Sequence, residues 1–227
     1  MAEIISDPSK ITVAWLNEVL SRAGLPGKVA DFEATSIGAG QVGQNIRFAL
    51  DGIDVPASVV GKFPSDDPVS RQTGIDLNNY RREVFFYREL QHTVDVQTPR
   101  IFFAEVDEAT HDFVIIMEDL SPGVQGDQLA GCSVDEAALA LEQLARLQGP
   151  RWGDAGLAAY PLLEGTSQDT SALQGLYQML EPGFLERYST RLSEAHVDLV
   201  HRVGESLLTY NDIYKGPPGL IHIDYRL

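Results

Sequence analysis

With 227 residues, 44% hydrophobic and 22% charged, the chain can bury about 70% of its unfolded surface, which excludes a disordered or low-complexity protein. Its formal net charge of -16, from 33 acidic against 17 basic side chains, repels phosphate backbones and anionic headgroups and so excludes nucleic acid and membrane surfaces as expected partners. Cys132 is the only cysteine, so no intramolecular disulfide can form; residues 1–7 lack a signal-peptide pattern and no run approaches the roughly 18 apolar residues of a membrane span, which makes the cytoplasm the expected location.

In chain order, Thr12 is placed to cap a helix whose apolar positions Leu16, Val19, Leu20 and Ala23 recur at helical spacing, with Gly24 and Pro26-Gly27 as its stop. Phe32 to Ile37 reads as a strand running into a glycine turn. Ile46, Phe48 and Leu50 alternate with polar neighbours ahead of Asp51-Gly52, which predicts a hairpin there. Ala57 to Phe63 supplies a third strand, closed by the segment from Pro64 to Pro68. A helix rich in charge and aromatics follows over Leu77 to Gln91, then strands at Ile101 to Val106 and Phe113 to Met117. Five strands and one inserted helix make a first lobe.

From Ser121 the pattern turns helical. Ser133 and Glu136 form a capping box ahead of Val134, Ala137, Ala138, Leu141, Leu144 and Ala145 on one face. Further helices are expected near Thr170 to Leu180 and Phe184 to Tyr214, before Gly216-Pro217-Pro218-Gly219 breaks the chain. The expected fold class is α+β with two lobes: residues 1–117 with a five-stranded antiparallel sheet, a connector at 118–120, and helices over 121–227.

Gly38-Ala39-Gly40-Gln41-Val42-Gly43 fits G-x-G-x-x-G, a spacing shared by kinase flaps, dinucleotide sites and plain turns. In a dinucleotide fold the glycines open a helix; here strand-like alternation follows, which favours a flap whose backbone approaches phosphates without a Cβ in the way. Lys62 stands near the end of the third strand, either as an edge charge or as a phosphate-binding lysine. On the following helix Glu83 shares a face with Phe86, Tyr87 and Leu90, so its carboxylate needs a partner. Lys62 is the expected one, with Arg81 and Arg82 as alternatives. Phe113 to Leu120 reads as a buried strand ending in Glu118 and Asp119, placed as a connector between lobes. His222 and Asp224 flank Ile223 on a strand-like segment, which puts both side chains on one side, with Asp224 able to accept a hydroxyl proton. No histidine spacing suggests a metal site.

Glycine flap, strand lysine, helix glutamate, acidic connector and His-x-Asp occur here in the order found in the aminoglycoside phosphotransferase and choline kinase-like family, which the chain resembles over nearly its whole length. Tyr80-Arg81-Arg82-Glu83-Val84-Phe85-Phe86-Tyr87, Ile116 to Leu120, Leu144 to Gln148 followed by Arg151-Trp152-Gly153, and His222 to Leu227 carry the likeness. The resemblance implies a protein-kinase-like fold and transfer of the γ-phosphate of ATP, with magnesium, to a small-molecule hydroxyl. It implies that Gly38, Gly40 and Gly43 cover the phosphates, Lys62 binds them, Glu83 holds Lys62, Glu118 and Leu120 meet adenine through backbone atoms, and Asp224 is the base.

Ile223 stands where the family usually has glycine, and Gln148 where it often has histidine. The loop asparagine expected five residues after Asp224 falls two residues past Leu227, so the expectation is a form cut short in its C-terminal lobe with little phosphotransferase activity. The alternative is a nucleotide-binding or partner-binding module without catalysis. The acidic balance would suit a cationic substrate, but a solvated surface explains it more simply.

Overall fold

Thr12 caps the first helix, α1 (Val13–Arg22), with its Oγ1 accepting the Trp15 backbone N–H at 3.2 Å. In this computed structural model, which describes residues 2–38, 42–163, 170–213 and 216–225, α1 buries Trp15, Leu16, Val19 and Leu20 along one face. Asn17 fastens it to the sheet: its Nδ2 donates to the Val29 carbonyl and its Oδ1 accepts the Val29 N–H. Gly24, at φ 82°, ends the helix as a left-handed stop.

Five antiparallel strands follow, β1 (Lys28–Ile37), β2 (Gly43–Ile53), β3 (Ser58–Pro64), β4 (Ile101–Val106) and β5 (Phe113–Glu118), in the order β1-β2-β3-β5-β4. Alternation along the inner strands gives each face its own core. Phe48, Val59, Phe63, Val114 and Ile116 pack with α1 on one side; Phe113 and Ile115 pack with Tyr80 and Val84 on the other. Burial on both faces explains why β5 reads as an unbroken apolar run.

Two expectations shift here. The hairpin turn is not at Asp51-Gly52, because β2 continues to Ile53 with Gly52 paired to Val29. A Cβ on Gly52 would lie 2.2 Å from the Lys28 carbonyl oxygen, so this glycine admits a close backbone approach rather than a reversal. And one inserted helix becomes two, α2 (Pro68–Asp76) and α3 (Asn79–Phe85), the latter running on through a π-helical stretch, Phe86–Leu90. Asp67 caps α2 through the Ser70 N–H with Pro68 in its first turn.

The chain divides into two compact units, one of residues 1–152 with 219–227, the other of 153–218. In the first, α4 (Val134–Gln148) begins with the Ser133 and Glu136 capping box, both halves present. In the second, α5 (Thr170–Tyr188) runs straight through Pro182 instead of breaking before Phe184, and α6 (Glu194–Ile213) lies against it. Tyr177 donates to the Val200 carbonyl at 2.9 Å, and His201 pairs with Glu181. Gly204 sits beneath Tyr177 and Glu181, where a Cβ would come within 2.9 Å of each. Among the described residues no helix is long and apolar enough to cross a membrane.

Candidate functional site

Lys62 lies on the central strand β3, in register with Asn45 of β2 and Ile115 of β5. Its neighbours Gly61 and Phe63 face the α1 core; a Cβ on Gly61 would lie 2.6 Å from the Phe63 ring. Period-2 alternation therefore turns Lys62 to the α3 side. There Glu83 meets it with both carboxylate oxygens, Nζ standing 2.7 Å from Oε1 and 2.7 Å from Oε2. The pair is partly shielded, with side-chain exposures of 30% and 27%.

The alternative partners of Glu83 are engaged elsewhere. Arg81 reaches Glu108 and Asn78, and Arg82 donates to the Leu77 carbonyl. With Arg71 to Asp112 and Arg88 to Glu105, these pairs fix α2 and α3 against the β4–β5 hairpin. Burial, reinforced by the Glu83 carboxylate, pushes the Tyr87 phenol well above its ordinary pKa.

Of the three flap glycines, Gly38 lies at φ 69° just past β1, and Gly43 opens β2 opposite Pro64. A Cβ on Gly43 would meet the Phe63 carbonyl oxygen at 3.0 Å and the Lys62 side chain at 3.9 Å. Gly40 lies outside the described residues.

Glu118 ends β5. Its N–H donates to the Arg100 carbonyl at 2.8 Å and its carboxylate accepts the Arg100 N–H at 3.1 Å. Leu120 is exposed, with its carbonyl accepting the Gly123 N–H at 2.8 Å. Between them is a residue that sequence reasoning did not single out. Asp119, whose side chain is only 6% exposed, accepts from Arg47 Nε at 2.6 Å, Arg47 Nη2 at 3.1 Å, Ser58 Oγ at 2.6 Å and Ser121 N–H at 3.0 Å. Arg47 first, with Ser58 and Ser121, holds its pKa at about 2. The run Glu118-Asp119 before Ser-Pro-Gly was the only local signal.

His222 and Asp224 do not lie on a strand-like segment. Ile223 takes φ 68° and the Asp224 N–H donates to the His222 carbonyl at 2.8 Å, a three-residue turn with a positive central φ. Leu220 is buried, and Tyr225 donates to the Ala140 carbonyl of α4 at 2.6 Å, so the turn is held at both sides. Asp224 is exposed and belongs to the same compact unit as Lys62 and Glu83. A β-branched residue is strained at this φ. Ile223→Gly gives up a side chain that is 77% exposed and should raise stability by about 1 kcal/mol. Thermal unfolding reads this; an unchanged or lower Tm would remove the strain.

No family model matches this sequence, and no curated protein matches it. Solved structures do. The GDP and kanamycin complex of APH(2")-IIia is 20% identical, with a TM-score of 0.51 over 94% of this chain and 65% of that one. The GDP complex of wild-type aminoglycoside 2'-phosphotransferase-IIIa is 21% identical at a TM-score of 0.45, over 93% of this chain and 64% of that one. The chain thus has a fold similar to the kinase-like aminoglycoside phosphotransferases and spans 65% of the length of the first of these.

Proposed function

We propose that this chain is a phosphotransferase of the aminoglycoside phosphotransferase and choline kinase-like type, built to pass the γ-phosphate of ATP to a small-molecule hydroxyl in the cytoplasm. The observation that carries it is the Lys62 to Glu83 pair, with both carboxylate oxygens at 2.7 Å from the ammonium, on a central strand paired with the one that follows the glycine segment. A carboxylate that fixes an ammonium beside backbone amides makes a preorganised anion site, which is what a triphosphate needs.

Lys62 binds the α- and β-phosphates, Glu83 holds it, and Gly38, Gly40 and Gly43 let the flap close over them. The Glu118 N–H is committed to Arg100 and the Leu120 carbonyl to Gly123. The Glu118 carbonyl and the Leu120 N–H are therefore the groups assigned to the base. Asp224 accepts the proton of the attacking hydroxyl.

Among the described residues no three His, Cys, Asp or Glu side chains gather to hold a cation, and no step is assigned to magnesium. A second possibility is a nucleotide-binding module without turnover. Binding is accordingly the decisive measurement. Titration calorimetry should show ATP binding at least tenfold tighter than adenosine, through phosphate contacts worth about 1.5–3 kcal/mol each, and NADH no tighter than adenosine. ATP binding no tighter than adenosine would overturn the proposal.

A further inference from the structure

Tyr80 stands one turn before Glu83 on α3 and is 2% exposed. Its ring stacks on Phe113, with centroids 4.5 Å apart, and occupies the space over Gly74, where a Cβ would lie 2.5 Å from it. The hydroxyl leaves this apolar setting at one point. It donates to the Val42 carbonyl at 2.5 Å. Val42 is the residue before β2, just outside the last ladder pair, Gly43 with Pro64. The phenol oxygen thus holds the chain at the residue that leads into β2.

We infer that Tyr80 is the positioning residue of the flap: its hydroxyl ties the root of the glycine segment to the helix that carries Glu83. α3 then holds two things at once, Lys62 through Glu83 and the flap root through Tyr80, three residues apart on one helical face. Any shift of α3 moves Lys62 and Val42 together, so the lysine and the root of the glycine segment keep their mutual spacing. This rests on the nucleotide reading for its purpose, but the tether itself does not.

The test is Tyr80→Phe, which keeps the ring over Gly74 and on Phe113 and removes only the hydroxyl. Amide hydrogen exchange at Gly43 and Gln44 should quicken by about tenfold, the equivalent of one hydrogen bond, while amides of β4 and β5 keep their rates. ATP affinity should fall about five- to tenfold with adenosine affinity unchanged. Unchanged exchange at the flap root overturns the inference whatever the ligand data show. Exchange that quickens across the whole sheet also overturns it, since that is loss of stability rather than of positioning, as does an equal loss of ATP and adenosine affinity. Locally quickened exchange in a protein whose wild type binds no ATP would instead support the tether and sink the nucleotide assignment.

Discussion

Asp119→Ala is expected to lower the unfolding free energy by about 3 kcal/mol, because it removes a shielded carboxylate that accepts four hydrogen bonds at once. Four donors converge on this carboxylate from β2, β3 and the following turn. Arg47 is 39% exposed and can turn to water, so the loss sits at the low end for such pairs. Urea denaturation reads it, and a loss below about 1 kcal/mol would show that the network contributes little. Its pH dependence follows from the same contacts. The folded carboxyl titrates at about 2 against 3.8 for the free group, so its stabilisation is complete above pH 3.8 and is lost as the pH falls toward 2. Screened by solvent around Arg47, that amounts to about 1–2 kcal/mol. Wild type should lose this increment on acidification and Asp119→Ala should not.

Lys62→Met should weaken ATP binding by about 30- to 100-fold, the equivalent of one or two charge-assisted phosphate contacts, while adenosine binds as before. Methionine keeps the length and the apolar stem but cannot donate. Glu83→Gln should have a smaller effect, because the amide oxygen still accepts from Lys62 and only the charge that holds the ammonium is gone. Calorimetry on both variants separates the roles. Equal losses of ATP and adenosine affinity in Lys62→Met would mean a disturbed sheet and not a missing phosphate ligand.

What could be read from the sequence was local or periodic. The Thr12 cap, the Ser133 to Glu136 capping box and the two-sided burial of β5 follow from side-chain types at short range. Lys62 and Glu83 were legible because an apolar stripe with one carboxylate demands a cation, and the strand before it offered one. α2 was missed although Asp67 and Pro68 carry a cap signal, since its faces are weakly distinguished and only Gly74 is buried. Asp51-Gly52 misled because a glycine required for close approach looks the same in sequence as one required for a turn. Asp119 and Tyr80 were out of reach for a different reason. Their partners are an arginine 72 residues away and a backbone carbonyl 38 residues away, and neither has a periodicity to betray it.

The two cores on opposite sides of one sheet have a practical consequence. Everything assigned to phosphate handling on β3 and α3 lies with the smaller cluster, whereas the larger one, built on α1, meets only the back of the same strands. The sheet is a partition wall. A designer seeking a hardier protein can refurnish the room behind it, around Trp15 and Phe48, and leave the working bench in front undisturbed.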